Sequence, residues 1–392
     1  MTPVLRPETI DLLQNAWSVP KPRRRGAGLG FKPGGAVTEL LSGAGASSHG
    51  ARSAAAVAKL SSLTRRAPEV LVKVSGRQNG AGHVASNFTY IAGREGREGR
   101  DSGIETSEER TLFKAEEFAR LAKEWDAWER ADGRRRQGAT SISMVFSMPE
   151  GTNPDKLKDA VRSVAHKEFG DFRWVLGIHT DTPRPHAHLT VARRGLEGPR
   201  LHPGREDLFR YRELFADELR TRGIEAEATP RKARGVVKKA DRTPIHKMKA
   251  KARAADKLTM LPRVTQEQMK AAADRVKRIE AGEPAGLRDV DKKALNRQEQ
   301  SRHALAMAAQ DLAKSSDPDH QTLAATVRKF IRDMPAPETR DMAMMRNVAQ
   351  SRRDNQERSR QEQARTASTS ERTKEQQPDR ARGRDRDRDV SH

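Results

Sequence analysis

Residues 177–194 read GIHTDTPRPHAHLTVARR, two short β-favouring runs around a turn that holds Pro183 and Pro185. The spacing predicts strands over 173–180 and 186–193, joined as a hairpin. Side chains alternate along a strand, so His186 and His188 share a face, as do Val175, Gly177, His179 and Asp181. Leu176, Ile178, Leu189 and Val191 fall on the opposite side and supply an apolar backing. Three imidazoles would then converge on one face, among small neighbours that leave room for a ligand. That donor set suits a divalent cation and leaves coordination positions open. Asp181 lies two residues from His179 and is placed to orient a ligating ring. The alternative is three ordinary polar side chains on a wet sheet face.

Outward from the hairpin, the pattern alternates strands with amphipathic helices. A β-rich run, VLVKVS, spans 70–75, and a helix is expected over 82–93 with Val84, Phe88 and Ile91 as its apolar stripe. His83, Asn87, Tyr90 and Arg94 project from the adjoining face. Further elements are a helix over 111–132, a strand over 141–148, and helices over 154–169 and 207–222, the last stopped by Gly223. This order predicts an α+β fold, a mainly antiparallel sheet flanked by helices.

Composition sets the limits of that domain. Of the 392 residues 34% are hydrophobic and 33% charged, so much of the length cannot bury enough apolar surface to offset its ordering entropy. Most aromatic residues lie between Phe88 and Phe215, which places one compact domain over 68–240. Residues 1–67 read as a disordered basic arm with a short helix at 7–17, 241–350 as a helical extension, and 351–392 as a disordered charged tail. The formal net charge of +22 points to a polyanionic partner, nucleic acid before others. The absence of cysteine excludes disulfides, zinc fingers and iron–sulfur clusters. No signal-like or membrane-spanning apolar run is found, so a cytoplasmic protein without membrane insertion is expected.

Two tyrosines are available to a phosphoryl-transfer site. Tyr211 lies on the stripe Leu208, Tyr211, Phe215, Leu219 and reads as core. Tyr90 lies on the polar side of its helix, ahead of a glycine-rich loop bearing Arg94 and Arg97, where a phenol could meet a phosphodiester.

Four segments resemble the relaxase, or mobilization nuclease, domain of conjugative plasmids and of the border endonuclease of T-DNA transfer. Residues 70–96 are similar to its first motif, in which a tyrosine ends the helix after the first strand. Residues 144–153 are similar to a strand ending in Ser-x-Pro-x-Gly-Thr, and 177–194 to the motif H-x-D-x4-H-x-H. Residues 219–235 resemble R-x-x-G-I followed by R-x-x-R-G. The resemblance covers less than half the chain. It implies an HUH endonuclease-like fold, Tyr90 as nucleophile, and His179, His186 and His188 as ligands of Mg²⁺ or Mn²⁺. Asp181 becomes their supporting partner, with Arg94, Arg97, Arg193 and Arg194 as DNA contacts.

The implied reaction is strand- and site-specific nicking and rejoining at a plasmid origin of transfer through a 5′-phosphotyrosine. Single-stranded and supercoiled origin DNA, relaxosome accessory proteins and the coupling protein of a type IV secretion system are the implied partners. Residues beyond about 240 are expected to serve transfer and not nicking. Two alternatives stay open. A rolling-circle replication initiator would place its tyrosine after the histidines, at Tyr211; a non-catalytic relaxosome DNA-binding protein would need charge but no triad.

Overall fold

The computed structural model describes residues 4–18, 48–93, 103–131, 138–236, 241, 243–283 and 287–375. The chain divides into two compact units, one of residues 1–236 with 297–336, the other of 237–296 with 337–392.

The first unit is built on six strands: β1 (Leu71–Gln78), β2 (Ile104–Thr106), β3 (Thr111–Leu112), β4 (Ser141–Ser147), β5 (Trp174–His179) and β6 (His186–Ala192). They lie in the order β1-β4-β6-β5-β2-β3, and every pairing is antiparallel. Helices cover both faces. On one, α5 (Pro154–Phe169) and α6 (Arg205–Thr221) pack Val161, Val164, Phe215 and Leu219 against Phe146, Leu176, Leu189 and Val191. On the other, α3 (Gly80–Ile91) and α4 (Ala115–Arg130) pack Val84, Phe88, Phe118 and Trp125 against Val175 and Ala192. The expected α+β architecture and the two-sided register of the hairpin are therefore observed.

The local starts follow familiar chemistry. Helix α5 opens on Pro154, with the Asn153 side chain accepting the Lys156 N–H at 3.0 Å. Helix α4 begins at Ala115, not at Thr111 as its periodicity predicted. Glu117 folds back to accept the N–H groups of Phe113 and Lys114, each at 3.0 Å, and Thr111–Leu112 instead pairs with β2. Strands β2 and β3 carry no apolar alternation, so their pairing was invisible to pattern reading.

The flanks hold more order than composition suggested. The short helix expected at 7–17 is α1 (Pro7–Trp17), and the expected disorder of the rest of the arm is corrected at α2 (His49–Thr64). Leu5, Leu13, Trp17, Leu60 and Leu63 are buried against Leu305, Leu312 and Val327, which belong to α9 (Asp289–Ala313) and α10 (Pro318–Asp333). Buried Asp311 fastens this cluster by accepting Thr9 Oγ1 at 2.6 Å and Arg6 Nε at 2.8 Å.

The second unit contains α7 (Thr243–Ala254), α8 (Arg263–Glu280) and α11 (Arg340–Glu375), with Arg275 paired to Asp341. The tail expected to be disordered from 351 is helical to Glu375. Residues 19–47, 94–102 and 376–392, which include the Gly/Arg arm, Arg94, Arg97 and the Arg/Asp-rich end, lie outside the described residues. No described helix is long and apolar enough to cross a membrane.

One prediction follows from the α1–α2–α9–α10 cluster. A chain cut near residue 240 loses Leu305, Leu312, Val327 and Asp311, and so exposes their partners on α1 and α2. Each large buried aliphatic contributes about 1.5–3 kcal/mol. The melting temperature should fall by roughly 10 °C, whereas a chain ending at 336 should keep it. Equal melting temperatures for the two truncations would show that the cluster does not stabilise the unit.

Candidate active site

The β5–β6 register sets His179 directly opposite His186, and His188 opposite Gly177. All three rings lie on the α3 side of the sheet. Their centroids are 4.5 Å apart for His179 and His188, 5.3 Å for His179 and His186, and 5.2 Å for His186 and His188. One ring nitrogen from each lies within 4.8 Å of the others.

Hydrogen bonds orient two of the rings. His179 donates Nε2–H to the Tyr90 carbonyl at 3.1 Å, which leaves the lone pair on Nδ1. His186 donates Nδ1–H to the Arg184 carbonyl at 3.1 Å, which leaves the lone pair on Nε2. Buried His188 keeps an Nε2 that has no hydrogen-bond partner among the described residues. An orphaned nitrogen facing two other imidazoles is what a cation-binding site needs and what a packed core avoids.

The protonation states agree. Burial, followed by the charges of His179, His186 and Lys73, pushes the His188 pKa down to about 3. Burial and then His186 lower the pKa of His179, against an opposing pull from Asp181. Both rings are held neutral, the form that ligates. The residues present therefore fit a bound divalent cation.

Tyr90 completes the group. It sits at the end of α3, 57% exposed, its ring edge-on to His179 at 5.3 Å and to His188 at 5.4 Å. Two features that sequence reading missed put it there. First, the Asn87 side-chain oxygen, one turn earlier, lies 2.8 Å from Thr190 Oγ1 and 3.1 Å from Ser143 Oγ, and the two hydroxyl oxygens are 2.8 Å apart, a triangle in which the two hydroxyl protons supply two hydrogen bonds. This tripod pins α3 to β4 and β6. Second, a Cβ on Gly177 would overlap the Ile91 carbonyl oxygen, so only glycine lets the end of α3 lie on β5. The signal was present, since glycine inside a strand marks close approach by another backbone.

Gly177→Ala should therefore lift the end of α3. Overpacking typically costs about 1–3 kcal/mol, and misplacing a reacting group by ~1 Å about 10²-fold in rate. Thermal melting and a cleavage assay would check this; a variant unchanged in both would mean that α3 has slack.

The other sequence candidates are placed apart. Asp181 is exposed on the turn, and carbonyl groups, not its carboxylate, take the hydrogen bonds described for His179 and His186. Arg193 and Arg194 follow the far end of β6 from His186. Arg194 donates to the Trp128 carbonyl at 2.6 Å and lies 4.4 Å over that ring. Tyr211 is buried on the opposite face of the sheet, edge-on to Phe169 at 5.1 Å, and burial pushes its pKa up.

Residues 90–224 match the family model described as relaxase, MobA/VirD2-like, nuclease domain. The matched stretch opens on Tyr90, contains all three histidines and ends at Ile224, so what resembles a relaxase nuclease domain is the part of the chain that carries the site. No curated protein matches the chain. A solved structure reported under "Molecular Basis of Vancomycin Resistance Transfer in Staphylococcus aureus" shares 15% sequence identity. The match covers 42% of this chain and 98% of that one, with a TM-score of 0.29.

Proposed function

We propose that the chain nicks and rejoins one strand of DNA at a plasmid origin of transfer, with Tyr90 as nucleophile. The observation that carries this is an exposed phenol edge-on to two of three converging imidazoles. Tyr90 attacks the scissile phosphate, the bond to the 3′ oxygen breaks, and the 5′ end stays on the tyrosine. Because the phosphodiester energy is retained, the same step run backwards rejoins the strand. His179, His186 and His188 would hold Mg²⁺ or Mn²⁺, which when bound supplies positive charge to a phosphoryl oxygen. The chain's own residues present Tyr90, through the Asn87 tripod and Gly177, and burial favours the neutral forms of His179 and His188.

Asp181 acts on His179 through charge at longer range, and Arg94, Arg97, Arg193 and Arg194 add phosphate contacts. The helices of the second unit and the charged end are proposed to meet relaxosome accessory proteins and a type IV coupling protein, consistent with a strongly basic chain. Asp181→Asn is expected to lower metal affinity or cleavage by about 10–100-fold. Calorimetry with Mn²⁺ reads the first and a nicking assay the second; no change in either would remove Asp181 from the site.

The deciding experiment incubates the full chain and Mn²⁺ with a pool of labelled random single-stranded oligonucleotides. A covalent protein–DNA adduct that maps to Tyr90 is expected. An adduct at Tyr211 would favour a replication initiator, and binding without any adduct would favour a non-catalytic DNA-binding role.

A further inference from the structure

Beside the triad, the sheet carries a charge that the phosphotyrosine scheme leaves unused. β1 is an edge strand, and its register sets Lys73 opposite Val145, which is in turn opposite His188. The three residues therefore point to the same face. Two strand spacings of ~4.8 Å put the Lys73 Cα about 10 Å from that of His188, within the reach of an extended lysine. The Lys73 charge is felt at His188, where it helps to keep the ring neutral. Lys73 is exposed, and no carboxylate among the described residues pairs with it. Among the described strand residues on this face it is the single Lys or Arg.

Helix α3 fixes the opposite side of the site. It crosses the face from Gly80, whose N–H donates to Thr140 Oγ1 at 3.0 Å, to Ile91 on Gly177 of β5. Tyr90 thus enters over β5 and β6, while Lys73 reaches in from β1, with His188 between them. An in-line displacement needs its nucleophile and leaving oxygen on opposite sides of phosphorus. We infer that Lys73 is a phosphate-contacting residue, its ammonium holding the scissile phosphate from the side opposite Tyr90. The inference rests on the reading of Tyr90 as nucleophile. In the step, Tyr90 Oη bonds to phosphorus and its proton passes to solvent. The P–O3′ bond breaks, the electron pair leaves with O3′, and that oxygen takes a proton from water. Lys73 stays an ammonium throughout and offsets the charge that builds on the departing oxygen.

Edge strands also carry lysine merely to discourage strand pairing, and Lys73→Met and Lys73→Arg separate the two roles. Both are made in the full chain and assayed with Mn²⁺ and the same labelled oligonucleotide pool. Lys73→Met should slow single-turnover adduct formation by about 10²-fold, as loss of one charge-stabilising donor does. It should also reduce the salt slope of single-strand binding by about 1. Lys73→Arg should restore most of the rate, and Mn²⁺ affinity by calorimetry should be unchanged or tighter in both. Wild-type cleavage by Lys73→Met, equal damage in both variants, or lost Mn²⁺ binding would each overturn the proposal. If the wild type forms no adduct at all, the nuclease reading fails instead. Lys73 is then judged by the salt slope, and an unchanged slope rejects a phosphate contact.

Discussion

Tyr90→Phe is expected to abolish the covalent DNA adduct while leaving single-strand binding nearly intact. The substitution removes one oxygen and keeps the ring that sits edge-on to His179 and His188. Because Tyr90 is 57% exposed, neither packing nor a buried hydrogen bond is lost with the hydroxyl. The backbone carbonyl that orients His179 is untouched. No other group at the site can take the role of a phenolic nucleophile, so the loss should reach the detection limit of the assay and not a fractional decrease. Tyr211→Phe is the control: its hydroxyl lies in the core behind the sheet, and its removal should change stability slightly and cleavage not at all. Denaturing electrophoresis of labelled DNA retained on the protein distinguishes them. An adduct that survives in Tyr90→Phe and disappears in Tyr211→Phe would transfer the reaction to the replication-initiator scheme.

The contrast between those two tyrosines was legible before any coordinates, because helical periodicity separates an apolar stripe from its neighbour. The same kind of argument located the triad, since strand alternation, with Leu176, Ile178, Leu189 and Val191 as a shared apolar back, puts His186 and His188 on the face of His179. What stayed hidden depends on residues far apart in sequence. Asn87 meets Ser143 and Thr190 only after β4 and β6 have paired and α3 has packed on them, and each of the three is an ordinary polar residue in its own segment. Thr9 reaches Asp311 across nearly the whole chain, so an N-terminal helix that looks too poor to fold alone is buried by a partner near the other end. Local composition reports whether a segment can stand by itself, and α1 and α2 do not have to. Lys73 illustrates a third limit: its place in the motif-like run 70–75 is plain, but its row across β4 to His188 follows from a register that includes a bulge between Val74 and Gly76.

His188→Ala is expected to remove most metal affinity and, with it, cleavage, while the sheet stays folded. The fold should persist because the strands are backed by Leu176, Leu189 and Val191 against α5 and α6, a layer that does not include the triad. The binding loss should be large because His188 is the most buried of the three and offers a nitrogen with no other described partner. His186→Ala removes a more exposed ring and should also weaken binding, though the remaining pair can still hold a cation loosely. The pH dependence gives an independent check. Protons compete with a metal only below the pKa of the ligating ring; His188, at about 3, stays unprotonated well into acid, and burial places His179 below its ordinary value. Three free imidazoles with a pKa of about 6.5 would lose roughly 10³-fold in affinity between pH 7.5 and 5.5. The wild-type protein should lose distinctly less, as Mn²⁺ titrations by calorimetry at the two pH values would show. A full thousandfold loss would mean that the rings titrate as if in water. Unchanged Mn²⁺ affinity in both alanine variants would mean that the histidines are not the ligands.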